Sequence, residues 1–361
     1  MNTAWLSYVP QHVALDLVRH PMQSPLGRER RFEVVALFAD VSGFTAMSEA
    51  LARSGRPGTE ELTDVLNSYF GPMIDLIQSY GGIIGKFGGD AMTVLFPTAR
   101  STRAATARRA IQCALDMQAA MGRYAAIETS AGTFSLAMKA GLALGSVLCT
   151  TVGDQQVQLE YIIAGAVLDR AADAEHHAEP GQVVAQDELL AYVGAVEIAW
   201  RRDGVCCIAK LRRRARPAPA APLVQLPGAA LKTIARFLHP AIAQLLEAGQ
   251  AGFINEHRKV TVLFVNFGEL DYDHDPRAAA TLQSYLSAVM RIVQRYDGYL
   301  SRVDMGDKGS KCIVLFGAPI AHEDDEERAL RCALELRALD AQSGGLGTPA
   351  RFGVNSGFVY C

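Results

Sequence analysis

The sequence predicts an α+β chain built from two copies of one layer, strand–helix–strand–strand–helix–strand (βαββαβ), with the second copy incomplete. Three observations lead there. Short apolar runs rich in β-branched residues alternate with longer stretches whose apolar residues recur every three or four positions. Glycine-rich turns separate them. The pattern of the first half then returns in the second. Val260 to Phe267 mirrors Val34 to Val41, Tyr296-Asp-Gly298 mirrors Tyr80-Gly-Gly82, and Lys311 to Phe316 mirrors the strand ending at Phe96. Arg351 to Cys361 mirrors Lys139 to Cys149, so the second copy stops where the first reaches Cys149.

Residues 1–30 read as an arm, with a helix through Leu17, packing on the first copy. The first copy spans 31–212. Val34, Val35, Ala36, Leu37 and Phe38 form a buried strand that ends on Asp40. Ser42 to Thr45 make a small-residue turn, and Thr45 is placed to cap a helix over 45–54. A second helix covers 59–79, after the Arg53 to Gly58 break. Val65, Leu66, Tyr69, Phe70, Met73 and Leu76 make its core face. Ile83 to Phe96 reads as a hairpin with Asp90 at its tip, closed by Pro97. An Ala-rich helix covers 101–122. Phe134 to Ala143 and Ser146 to Val152 read as two strands around Gly145. A further strand covers Val157 to Ile163, a helix covers Ala166 to Ala178, and a strand covers 204–210. This order predicts a ferredoxin-like layer with helices over one face. The linker, 213–255, starts in the basic, proline-rich run from Leu211 to Pro222, read as a solvated extended connector. It continues as an amphipathic helix over 229–250. The second copy covers 256–361 and includes an acidic helix over 322–339.

Composition narrows the function classes. With 361 residues, half of them hydrophobic, the chain is long enough for two domains with sizeable cores. A net charge of −3 gives no electrostatic case for nucleic-acid binding. Seven scattered cysteines without a CxxC spacing read as reduced, buried thiols, which points to a cytoplasmic protein. The N-terminus has no basic region followed by a long apolar run, and no window is apolar enough for a membrane span.

The chemistry concentrates in two places. A strand that delivers Asp40 to the mouth of a turn, just before a helix N-terminus, suits a metal ion held beside a phosphate. The same pattern also suits an acid that only caps the turn. Asp90, on the tip of the hairpin, supplies a second carboxylate. Two carboxylates on neighbouring strand tips form a pair able to hold two divalent cations, which about 4 Å apart clamp the attacking and leaving oxygens of a phosphoryl transfer.

FADVSGFTAMSEAL followed by KFGGDAMTVLF resembles the catalytic domain of class III nucleotidyl cyclases, in particular the tandem-domain, soluble adenylyl cyclase type. The resemblance covers residues from about 30 to 361. It implies two cyclase catalytic domains paired as a pseudo-dimer, converting ATP, or GTP, to a 3′,5′-cyclic nucleotide and pyrophosphate with two Mg²⁺ or Mn²⁺ ions. It implies Asp40 and Asp90 as catalytic metal ligands, the Val41 carbonyl as a further ligand, and the amides of Gly43, Phe44 and Thr45 on the triphosphate. It also implies the N-terminal part of a larger signalling protein, the equivalent of 150–212 being missing from the second copy.

The copies are unequal. Asn266 stands at the place of Asp40, and an amide is a poor partner for a divalent cation. Arg302 to Gly309 replaces Lys86 to Asp90 with one extra residue, and Asp304 and Asp307 lie within it. In the family, a helix after the late glycine carries an Asn and an Arg that orient the ribose and stabilise the transferring phosphate. In the first copy those places hold Asp169 and Asp173, and an acid would repel the phosphate. The first copy would therefore supply metals and the second the base pocket, leaving one working and one degenerate site. Arg302 stands where the family's second domain carries a base-contacting Lys, and the residue that pairs with it to read the base would lie beyond Cys361. Lys86 and Arg170 fall to the degenerate site, which binds bicarbonate in soluble adenylyl cyclases; the Arg expected there aligns with Ala172.

Other readings stay open. Gly88-Gly89-Asp90 resembles the start of the diguanylate cyclase signature, but Ala91 and Met92 stand where that family has Glu and Phe. A nucleotide-binding regulatory module with decayed catalysis would keep the fold without turnover. Asp271-Tyr-Asp-His-Asp275 resembles the start of a calcium loop, yet lacks the glycine at its sixth position and has Leu282 in place of the closing Glu. His176 and His177 have no partner at metal-ligand spacing.

Overall fold

The computed structural model describes the chain except residues 1–2, 7, 219–225, 251–256, 269, 306–308, 344–345, 347–348 and 361. The chain packs into two compact units. The first comprises Phe32–Val147 and Ala166–Leu223, and the second Met1–Arg31, Leu148–Gly165 and Val224–Cys361.

In chain order, helices α1 (Thr3–Leu6) and α2 (Gln11–Arg19) precede strand β1 (Glu29–Ser42). Helix α3 (Phe44–Ala52) starts earlier than a Thr45 cap would set it, because Gly43 itself is the N-cap, at φ 92°. A side chain at that φ would be strained, so glycine is required. Helix α4 (Arg56–Ser79) has Pro57 in its first turn, where a missing N–H costs nothing. Strands β2 (Ile83–Gly88) and β3 (Ala91–Pro97) form the expected hairpin, followed by α5 (Arg103–Met121). A small ribbon, β4 (Ile127–Thr129) and β5 (Gly132–Phe134), leads to β6 (Ala137–Asp154).

Strand β6 runs straight through Gly145, where two strands were expected. Gly145 is there for close approach, not for a turn. A Cβ on it would lie 2.4 Å from Arg170 Nη2 and 3.0 Å from Val167 Cβ. Then follow β7 (Gln158–Ala164), α6 (Ala166–His176), β8 (Val183–Gln186), α7 (Asp187–Leu190), β9 (Val196–Arg202) and β10 (Val205–Leu211). The sheet order is β2-β3-β1-β6-β8-β10-β9, with β7 paired to β6. Its first four strands have the order of a βαββαβ layer.

In the first unit, Val35, Leu37, Ala39 and Val41 of β1 share one core with Met47 and Leu51 of α3, Tyr69, Met73 and Ile77 of α4, and the inner face of α5. Ala174 and Ala178 pack with Val184, Val205 and Cys207 in a separate cluster around α6. Here the expectation of helices over one face is corrected: α6 seats on Gly141 so closely that a Cβ there would meet Ala171 O at 2.1 Å.

The basic linker needs one correction. Its described part, to Ala218, is largely exposed, as expected of a solvated run, but it is tethered to the first unit and not a free connector. Arg214 Nη2 donates to Asp116 Oδ2 (2.7 Å), which also accepts from Tyr80 Oη (2.6 Å). Ala218 N donates to Ser79 O (2.8 Å), and Arg108 donates to the Arg213 carbonyl. The helix expected over 229–250 is two helices, α8 (Gly228–Ile234) and α9 (Pro240–Glu247). Pro240 forces the break, since it lacks an N–H and disfavours a helical His239.

The second unit contains β11 (His257–Phe267), α10 (Ala278–Arg295), β12 (Tyr299–Asp304), β13 (Ser310–Phe316), α11 (Asp325–Ser343) and β14 (Arg351–Tyr360). Its sheet order, β12-β13-β11-β14, repeats that of β2-β3-β1-β6. Leu263, Val265 and Phe267 share a core with α10 and α11. Val152, Ile162 and Ala164 of the β6–β7 hairpin enter the same core. Arg291 holds Asp154 at 2.7 Å, and Gln283 exchanges hydrogen bonds with both backbone groups of Gly153 (2.9 and 2.8 Å). The N-terminal arm falls in this unit, together with the β6–β7 hairpin of the first copy's sequence. It reaches the β6–β7 hairpin there: Leu26 bridges Thr151, and the His12 and Tyr161 rings are 4.5 Å apart. All six described cysteines are buried and free. No described helix is long and apolar enough to cross a membrane.

Candidate active site

The register of β1 on β3 pairs Ala39 with Met92. Continued by two residues, it brings Asp40 and Val41 alongside Ala91 and Asp90. The turn before Asp90 uses Gly89 at φ 74°. Both acids are half-buried. Burial raises the Asp90 carboxyl pKa, and the neighbouring Asp40 raises it further. The Tyr69 phenol, 1% exposed, is pushed up by burial and then by Asp90 and Asp40. Asp90 and Tyr69 thus both feel the charge of Asp40 at this sheet end.

Among the described residues, no cluster of three or more His, Cys, Asp or Glu is arranged to hold a metal. A pair of carboxylates suits Mg²⁺ nonetheless, because that ion keeps several waters and takes one or two carboxylates together with substrate phosphates. The mutual repulsion of Asp40 and Asp90 is what a cation would relieve.

The turn after Asp40 is tightly seated. A Cβ on Gly43 would lie 2.3 Å from Ser135 O. Helix α3 has no side-chain cap, and Gly43 and Thr45 are exposed while Phe44 packs partly on the core. Val41 is 4% exposed.

Glu175 is a neighbour that sequence reasoning missed. It is 3% exposed, lies 3.4 Å from Lys139 Nζ, and feels the charge of Asp40. The available signal was an acid among the inward alanines 171, 172, 174 and 178 of the α6 region. Arg170 is anchored by its Nη2, which donates to Leu144 O (3.0 Å). Asp173 accepts from Gln186 Nε2 (3.2 Å).

The second unit holds a different set at the matching sheet end. Val35 faces Phe96 in the first copy and Thr261 faces Phe316 in the second, so Asn266 matches Asp40. Phe267 faces Ser310, which puts Ser310 at the place of Asp90. Neither acid is retained. Asp307 lies outside the described residues. Among the described residues, no helix matching α3 follows β11 before α10. Instead the loop that resembled a calcium site is held by Arg31, which donates to the carbonyls of Tyr272 and Asp275.

Lys86 and Arg302 occupy matching places. Each follows a register shift, between Ile84 and Lys86 in β2 and between Leu300 and Arg302 in β12. Bulges of this kind re-aim the side chains beside them. Arg302 Nε lies 3.1 Å from Asp304 Oδ2.

Residues 27–204 match the family model described as the Adenylate and Guanylate cyclase catalytic domain. Adenylate cyclase type 10 of Rattus norvegicus is 24% identical over 367 residues, covering 91% of this chain and 22% of that protein. Adenylate cyclase 1 of Rhizobium meliloti is 28% identical over 173 residues, 46% of this chain and 24% of its own length. The chain thus spans about a fifth of the curated relatives it matches along most of its length. Among solved structures, the guanylyl cyclase Cya2 aligns with a TM-score of 0.42 and 27% identity, over 52% of this chain and 98% of its own. The adenylyl cyclase CyaB from P. aeruginosa aligns with a TM-score of 0.43 and 24% identity, over 52% and 98%. Through the segment 27–204, the chain belongs to the class III nucleotidyl cyclases.

Proposed function

We propose that this chain is the catalytic part of an adenylyl cyclase that converts ATP to 3′,5′-cyclic AMP and pyrophosphate, in the cytoplasm, with the two copies pairing so that each contributes to one site. The observation that carries the reading is the Asp40–Asp90 pair beside the uncapped start of α3, a combination the second copy lacks. In this reading Asp40, Asp90 and the Val41 carbonyl hold two Mg²⁺ or Mn²⁺ ions. Bound there, such ions would lower the pKa of the ribose 3′-hydroxyl and neutralise the leaving pyrophosphate. The amides of Gly43, Phe44 and Thr45 at the α3 start orient the triphosphate, favoured by the helix dipole. The 3′-oxygen then bonds to the α-phosphorus as the bond to the β-phosphate bridge breaks, and the hydroxyl proton passes to solvent.

Pairing within one chain is supported by the β6–β7 hairpin, which belongs to the first copy by sequence yet packs with α10 of the second. Division of labour is supported by Asn266 and Ser310 at the acid places and by Asp169 and Asp173 at the family's Asn and Arg places. The domain limits proposed on this basis are 31–212 and 256–361.

The test is cyclic AMP formation from ATP by the full-length protein with Mg²⁺ or Mn²⁺. Asp40→Ala should abolish it. Full activity in that variant would refute the assignment, and ATP binding without turnover in the wild type would favour a regulatory module instead.

A further inference from the structure

Glu175 is buried against a cation that stands beside Asp40. Strand β1 bonds to β6 as β11 does to β14. In the second copy Asn266 faces Arg351. Asn266 matches Asp40 and Arg351 matches Lys139, so the corresponding register sets Asp40 opposite Lys139. The same register sets Arg30 opposite Cys149, and the Cys149 thiol feels the Arg30 charge. Residues directly opposite on neighbouring antiparallel strands share a face, with Cβ atoms about 5 Å apart. A lysine stem is long enough to reach an acid at that separation, yet Lys139 Nζ lies 3.4 Å from Glu175 Oε1. Helix α6 fixes that acid in place. Gly141, two residues after Lys139 and on the same face of β6, would bring a Cβ to 2.3 Å from Glu175 N and 2.8 Å from its Cα. The Glu175 side chain is 4% exposed and that of Lys139 is 25% exposed. The exposed His176 ring is 3.8 Å from the other Glu175 oxygen.

We propose that Glu175 is a positioning residue for the metal site: it holds the Lys139 ammonium away from Asp40 and so leaves that carboxylate open to a divalent cation. This rests on the reading of Asp40 and Asp90 as metal ligands. A lysine ammonium is a compact point charge on a flexible stem. Turned toward Asp40, it would neutralise one of the two charges that attract the ion. A buried carboxylate is costly unless it is paired, so Glu175 competes for the ammonium more strongly than the half-buried Asp40 does. The Lys139–Glu175 pair is neutral as a whole, and the two acids at the sheet end keep their charge for the ion. The second copy shows the converse: Arg351 keeps the cation, and the acid opposite it is replaced by Asn266.

The test is Mn²⁺ binding by the full-length protein with a non-cyclisable ATP analogue. Free Mn²⁺ is read by EPR against a protein-free blank, and Asp40→Ala gives the baseline. Glu175→Gln should raise the Mn²⁺ midpoint by roughly tenfold or more, the usual effect of losing a group that orients a metal ligand. In the Glu175→Gln background, Lys139→Met should restore most of the loss, whereas Lys139→Arg should not. A pair that only supported the fold would lower the melting point without producing that difference in Mn²⁺ affinity. An unchanged midpoint in folded Glu175→Gln overturns the inference, and so does failure of Lys139→Met to restore binding. Should Glu175→Gln fail to fold, Lys139→Met alone should bind Mn²⁺ at least as tightly as wild type, and weaker binding overturns the inference. Wild type that binds Mn²⁺ no more tightly than Asp40→Ala overturns the metal reading and this inference with it. Binding that Asp40→Ala abolishes and Glu175→Gln leaves unchanged overturns this inference alone.

Discussion

Gly43 links the fold to the chemistry, and Gly43→Ala separates the two contributions. Gly43 has φ 92°, where an L-residue is strained by roughly 1–2 kcal/mol. Its new Cβ would also lie 2.3 Å from the Ser135 carbonyl oxygen, a backbone atom that cannot rotate away. Overpacking of this kind adds about 1–3 kcal/mol. Gly181 provides the control, since it has φ 90° and nothing within 4 Å of its would-be Cβ. Gly181→Ala should cost only the conformational part. Taking about 2 kcal/mol for the overpacking, at about 2–4 °C per kcal/mol for a unit of this size, Gly43→Ala should melt roughly 4–8 °C below Gly181→Ala. The chain has two tryptophans, Trp5 in the second unit and Trp200 in the first. In a Trp5→Phe background, Trp200 fluorescence reports the unit that contains both glycines. Melting points within about 1 °C of each other would show that the close approach to Ser135 carries no energy, and the reasoning would fail. If the α3 start also binds the triphosphate, Gly43→Ala should raise the KM for ATP while Gly181→Ala leaves it unchanged.

Three further outcomes are expected. Burial and then Asp40 raise the Asp90 carboxyl, so the folded chain holds that proton more firmly than the unfolded one, and stability falls as pH rises through the interval between the ordinary and raised values. Asp90→Asn should therefore melt above wild type at neutral pH in chelator, while added Mg²⁺ should raise the melting point of wild type more than that of the variant. Asp154 behaves oppositely: the Gln156 amide, and after it Arg291, lower its pKa. Its stabilisation is complete above the ordinary carboxylate range and is lost as pH falls through the lowered value. Hydrogen exchange in the β6–β7 hairpin should accelerate in that acidic window, and Asp154→Asn should remove the dependence. Finally, Ile111→Ala should cost about 3 kcal/mol, because Ile111 is 0% exposed, whereas Leu330→Ala, at 54% exposure, should change stability by no more than about 0.5 kcal/mol; paired denaturant melts of the full chain check both.

The strands were legible because their signal is local. Val34 to Phe38 and Ile83 to Phe96 have the composition of buried strands, and a Gly-Gly turn can do little but close a hairpin. The repeat extended that reading to β11–β14. What the sequence concealed depends on partners distant along the chain. Gly145 looked like a turn because glycine permits one, but it serves the approach of Arg170 and Val167. The linker is solvated, as its Arg and Pro content suggests, yet Asp116 and Ser79 supply contacts that tether it and that no local pattern shows. Glu175 carries no motif at all.

The matching register shifts before Lys86 and Arg302 bring these points together. A bulge leaves no composition signal, and the residues at the two shifts differ. Its recurrence at the same place in both copies shows that the irregularity belongs to the layer itself, whereas the side chains beyond it diverge. The layer thus keeps one way of aiming a cation from the end of its second strand. Around that fixed direction, the first copy has Asp40, Asp90 and Gly88, and the second has Asn266, Ser310 and Asp304. Moving an acid from the β1 and hairpin-tip positions to a place beside the cation changes what the sheet end can hold. Two neighbouring carboxylates favour a metal, and the second copy, with Asn266 and Ser310 at those places, does not offer that pair.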